Sequence, residues 1–224
     1  MTINSGAELS AGLSDVPVFI GSLVMFFTAL RFRKESRVGK AWYDTCTAVP
    51  LTVLMGIIMH VFRIREGYLR FLWPVVYFLI TLITGYFWIL ILEIFRPQGA
   101  EQPVRRAILL AVAAVSIVNA VQRFTFGYDL TPLYSMFGIP AVMHCAWTVF
   151  RYRDSVSREV RNRSALGVSL LLLSVIVEAV MRKPVTIAGM ELGGAFFAHV
   201  LIIAAMLVLT GVIRLTSAGE ASDE

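Results

Sequence analysis

Lysine and cysteine are scarce in this chain, and long polar stretches are missing. Of its 20 basic residues only Lys34, Lys40 and Lys183 are lysines, and all three lie between apolar runs rather than within them. A retinal Schiff base needs a lysine within the seventh helix, and none of the three lies there, so a retinal protein is excluded. The two cysteines, Cys46 and Cys145, both fall inside apolar runs. They form no disulfide framework and read as small apolar residues. The first 14 residues hold neither Lys nor Arg. Without a basic n-region the first apolar run does not read as a secretory signal, and it is expected to stay in the mature chain. There is no glycine-rich phosphate loop, nucleophile elbow, internal repeat or low-complexity tract. Stretches outside the apolar runs reach only about a dozen residues, too few to bury a core of their own.

What the chain does have is apolar sequence. Hydrophobic residues make up 58% of its 224 positions, and the mean hydropathy is +0.76. They gather in seven runs, at 15–32, 42–63, 72–95, 104–121, 131–150, 164–182 and 193–215. About 20 such residues at 1.5 Å rise span ~30 Å of hydrocarbon. Backbone groups in lipid must be satisfied within the segment, which makes the runs helices. The expectation is an all-α integral membrane protein: seven transmembrane helices in one sequential bundle over 15–215, a tail over 1–14, and a disordered tail over 216–224. Pro50 and Pro140 should kink their helices, whereas Pro74 falls in a first turn, where proline costs little.

The formal charge of +5 is a matter of sidedness. Counted by loop, 14 of the basic residues fall on one side and six on the other. The richer side holds Arg31–Lys40, Arg96, Arg105, Arg106, the Arg151–Arg163 group and Arg214. Over loops this short the bias places the N-terminus outside and the C-terminus in the cytoplasm, as in a bacterial inner membrane. The implied partners are membrane lipids rather than nucleic acid; oligomerisation leaves no readable mark.

Ionisable groups within membrane helices are costly, about 2.5–3.5 kcal/mol each on insertion scales, so each is a functional candidate. Counting from the outer end of each run, Asp15, His60, Glu178 and His199 lie within on the order of 10 Å of one depth. In a sequential ring the first, second, sixth and seventh helices form one arc, so these four residues are expected to converge on an outer-leaflet pocket. Imidazole and carboxylate suit a divalent metal such as zinc. Asn119, Gln122 and Arg182 are the expected pocket lining. For each of the four core residues a structural role is the alternative: Asp15 or Ser14 as a helix cap, and Glu178 paired with Arg182 at i+4. The histidines would instead each bond to a neighbouring helix. His144 lies roughly 10 Å deeper and is not expected to join. Asp44 is read as opening the second helix, and Glu93 as paired with Arg96 at i+3.

Gly56-x-x-x-His60 in the second run and His199-x-x-x-Ile203 in the seventh, on seven helices with the N-terminus outside, resemble the superfamily of alkaline ceramidases and adiponectin-receptor-like proteins. Members carry Ser-x-x-x-His, an aspartate soon after, and His-x-x-x-His. Here the serine is Gly56, the second histidine is Ile203, and no aspartate follows His60 before the third run. The resemblance implies a zinc-dependent intramembrane hydrolase of a lipid ester or amide, with Asp15 or Glu178 needed as third ligand. Leu13-Ser14-Asp15 with Trp42 and Gly56…His60 also resembles an uncharacterised bacterial seven-helix family, which implies no activity. The residues alone point to a membrane binding, sensory or accessory protein whose pocket takes a metal, lipid headgroup or small ligand.

Overall fold

The computed structural model describes residues 6–126, 131–181, 183–187 and 190–220. They form α1 (Gly6–Phe32), α2 (Arg37–Thr47), α3 (Val49–Val61), α4 (Glu66–Phe95), α5 (Gln102–Phe126), α6 (Thr131–Arg151), α7 (Arg158–Val180) and α8 (Gly194–Glu220), with a hairpin of β1 (Val185–Ile187) and β2 (Met190–Leu192) before α8. Among the described residues six spans are long and apolar enough to cross a membrane: α1, α2 with α3, α4, α5, α7 and α8. The chain is thus built as an all-α, multi-pass membrane protein; α6, of 21 residues, is a further rod beside those six.

The second span is a bent pair. Pro50 lies in the first turn of α3, where it has no N–H to give and its ring crowds the carbonyl four residues back. The helix therefore breaks at Ala48. Pro140, by contrast, lies inside the single helix α6. Several expected boundaries move outward. α1 begins nine residues before position 15, α4 begins at Glu66 so that Pro74 is internal rather than in a first turn, and α8 reaches Glu220 through most of the expected disordered tail. Asp44 lies inside α2, paired with Lys40 at 2.6 Å, and does not open the helix. Val185–Ile187 and Met190–Leu192, expected as plain loop, pair as antiparallel strands with Thr186 opposite Glu191.

The packing order is not the sequential ring of seven. α1 lies between α3 and α8, α8 against α7, α7 against α6, and α6 against α4, which returns to α2. α5 packs mainly on α4, outside that circuit, and turns Leu110, Ile117, Val121 and Phe124 outward. α4 explains why. Its last turns, Ile89 to Phe95, are buried at every position, as in a helix surrounded on all sides. The main apolar core fills the arginine-rich end of the bundle. Trp42 and Cys46 of α2, Leu90, Ile91 and Phe95 of α4, and Val212 and Ile213 of α8 meet there. α1 contributes a buried stripe, Ala11, Ser14, Val18, Ser22, Met25 and Ala29, at helical spacing, while Leu13, Ile20, Val24 and Phe27 face out. Asp15 is on the buried stripe, at the opposite end from the apolar core.

At the arginine-rich end, buried Glu93 ties α4 to α5. It accepts the Ala100 N–H at 3.0 Å and the Arg105 Nε–H at 3.1 Å, and Arg105 also reaches it through Nη2. Arg96, its expected partner, turns to Glu101 at 3.4 Å. The loop after α4 brings Arg105 across the carboxylate, and a pair spanning two helices displaces the i+3 contact.

Candidate functional site

The polar cluster starts from α1. Because the helix begins at Gly6, Ser14 and Asp15 are two turns inside it, and neither is a cap. Both are buried, at 7% and 5% exposure, and both face His199 of α8. Ser14 Oγ lies 2.8 Å from His199 Nδ1, and Asp15 Oδ1 lies 3.3 Å from His199 Nε2. Ser14 also donates its one hydroxyl proton to the Ala11 carbonyl at 2.7 Å. The serine oxygen then accepts from Nδ1–H. Nε2 and Oδ1 form an ion pair when the imidazole is protonated.

His60, at the end of α3, holds Glu8 of α1, Nδ1 to Oε2 2.7 Å, the length of a charge-assisted bond. Close approach of α1 and α3 makes this possible. A side chain at Gly12 would strike Val61 and His60, and one at Gly56 would meet Asp15 Oδ2 at 3.1 Å. Asp15, His60 and Glu178 of α7 lie within electrostatic reach of one another, so the four expected residues do gather at one end of α1, α3, α7 and α8. Glu178 and Glu8 are exposed at the bundle surface, and Asp15 is enclosed behind them. The end of α7 packs closely on the start of α8, where the Glu178 and Met181 carbonyls lie against Gly194. Beside the cluster, Ser10 Oγ donates to the Glu191 carbonyl at 2.7 Å, which binds the hairpin to α1.

Other expected residues stand apart. Asn119 and Gln122 belong to α5, which packs on α4 and α6, so they do not line this cluster; Asn119 is fully buried in its own helix's packing face. Their place near the outer end of the fourth run gives them the right depth, but depth does not bring α5 beside α1. Arg182 lies outside the described residues. His144 is also separate: it accepts the Trp88 indole N–H at 2.9 Å and sits against the Trp147 ring.

Glu8 is the member that residue reading missed. It lies seven positions before Asp15, two helical turns on the same face, a signal visible only once the helix extends through the tail. A catalytic zinc does not fit these residues. It needs about three protein ligands around one point, and among the described residues no three His, Cys, Asp or Glu side chains gather so as to hold a metal. His60 and His199 instead hold separate carboxylates. The chain matches no family model, no curated protein and no solved structure.

Proposed function

We propose that this is a plasma-membrane binding or sensory protein, N-terminus outside and C-terminus in the cytoplasm. Its outer-leaflet cluster takes an organic cation, in the first instance the ammonium group of a lipid headgroup. The orientation rests on the basic bias between loops. One observation carries the ligand class: three carboxylates, Glu8, Asp15 and Glu178, face two imidazoles. Among the described residues, with the carboxylates ionised the cluster is short of positive charge even when both histidines are protonated. An ammonium donates hydrogen bonds to separated carboxylates, whereas a bare metal ion asks for ligands converging on one point. Exposed Glu8 and Glu178 give access from the lipid side, and Asp15, paired with His199, holds the buried carboxylate within.

The test uses purified protein in a neutral detergent. A ligand that binds only the folded state raises the unfolding temperature with its concentration. Phosphatidylethanolamine should do so, and its N-acylated form, which lacks the ammonium charge, should not. Glu178→Gln should weaken the response. Equal responses to the two lipids would overturn the proposal, and a response to zinc alone would replace it with a metal site.

A further inference from the structure

A second polar feature lies at the opposite, arginine-rich end. Lys40 and Asp44 of α2, Tyr86 and Ile89 of α4, and Gln102, Arg105 and Arg106 of α5 face a cavity of about 230 Å³, with Ala41 and Leu109 completing its apolar wall. Two of the three cations are partly engaged: Lys40 by Asp44, and Arg105 by Glu93. The Arg106 guanidinium, Tyr86 hydroxyl and Gln102 amide make no side-chain hydrogen bond or ion pair among the described residues. Donors from three helices therefore converge on one cleft, and among the described residues that line it only Asp44 opposes them. Gln102 opens α5, so its side chain stands at the positive dipole end of that helix.

We propose that this cleft binds a phosphate-bearing anion, supplied either as an anionic phospholipid headgroup or as free phosphate. The ordinary role of arginines at such helix ends is to set topology, but that role requires no cavity and no convergence of donors. The volume is below the ~300 Å³ at which drug-sized sites begin, which suits a headgroup phosphate with its acyl chains left outside. Basic pockets between membrane helices on the cytoplasmic side have the chemistry to take such headgroups. Ile89, Ala41 and Leu109 give the apolar wall that a glycerol backbone needs.

The experiment measures unfolding of the full-length protein in neutral detergent against rising phosphatidylglycerol, phosphatidylcholine or inorganic phosphate. Phosphatidylglycerol or inorganic phosphate should stabilise saturably, and phosphatidylcholine should not. Response to the lipid alone identifies the headgroup as the source; response to both at the same apparent affinity identifies free phosphate. Arg106→Gln and Lys40→Gln should each weaken the interaction about fivefold, the order one Lys or Arg contributes at an anionic surface. Both variants should unfold at the wild-type temperature without anion. Arg158→Gln, at the same end but away from the cleft, should bind as wild type. Wild-type affinity in Arg106→Gln, equal response to phosphatidylcholine, or no saturable response to either anion would overturn the proposal.

Discussion

The α1–α3 seam offers a test in which one substitution has opposite signs at two positions of one helix. A Cβ placed at Gly12 would lie 2.6 Å from Val61 Cγ2, 3.0 Å from the Val61 backbone nitrogen and 3.1 Å from His60 Cβ. Carbon atoms rest at about 3.5–4.0 Å. The valine methyl could swing aside, but the backbone nitrogen cannot, so α3 must move outward. Overpacking of this kind costs roughly 1–3 kcal/mol, against which the better helix propensity of alanine returns about 1 kcal/mol. Gly12→Ala should therefore lose up to about 2 kcal/mol. At Gly21 the added Cβ would meet only the Met206 sulfur, at 3.4 Å; that thioether is flexible. There the propensity gain stands nearly alone, and Gly21→Ala should be neutral or more stable by up to about 1 kcal/mol. The assay is reversible unfolding in mixed micelles, with both variants in one host. If Gly12→Ala proves as stable as Gly21→Ala, the close seam that brings His60 to Glu8 is refuted.

Other substitutions probe the remaining packing. Glu93→Ala should cost about 3 kcal/mol, the lower end for a broken buried pair because part-exposed Arg105 can turn to water; unfolding within 1 kcal/mol of wild type would show the pair to be incidental. Asn119→Leu should stabilise by about 1–3 kcal/mol, since neither amide atom has a partner among the described residues and burial without one carries that penalty; a clear loss in a melt would mean the amide is bonded. Cysteines placed at Arg37 and Arg158 should resist an impermeant thiol reagent in intact cells, and one at Thr186 should react, over a low background because Cys46 and Cys145 are buried. The reverse pattern would invert the orientation.

Much of this fold is legible in residue order because lipid imposes one rule on every crossing segment. The helical rods follow the apolar runs, and Pro50 marks the break in the second. Helix ends are less legible. Gly6, Glu8 and Ser10 read as a polar tail, yet they continue α1 because His60 and Glu191 supply partners from elsewhere in the chain. The packing order was not legible either: short loops suggest a sequential ring, but the all-round apolar end of α4 draws α6 onto it and leaves α5 outside. Asn119 and Gln122 share the depth of the site but stand on α5, which contacts α4 and α6 rather than the site's helices. Common depth brought Asp15, His60, Glu178 and His199 together because α1, α3, α7 and α8 keep their expected neighbours, whereas the pairing of each imidazole with a different carboxylate depends on side-chain reach that spacing alone does not give.

The central claim is that the polar side chains of α1, α3, α7 and α8 act as one site, and thermodynamic cycles on Asp15 test it most directly. Asp15→Asn combined with His199→Ala, and separately with His60→Ala, should show coupling of about 0.5–3 kcal/mol in unfolding free energy, as groups in one network do. His144→Ala, bonded to Trp88 instead, should add to Asp15→Asn within about 0.5 kcal/mol. Simple additivity of Asp15→Asn with both cluster histidines would contradict the claim and leave two unrelated pairs in the bundle.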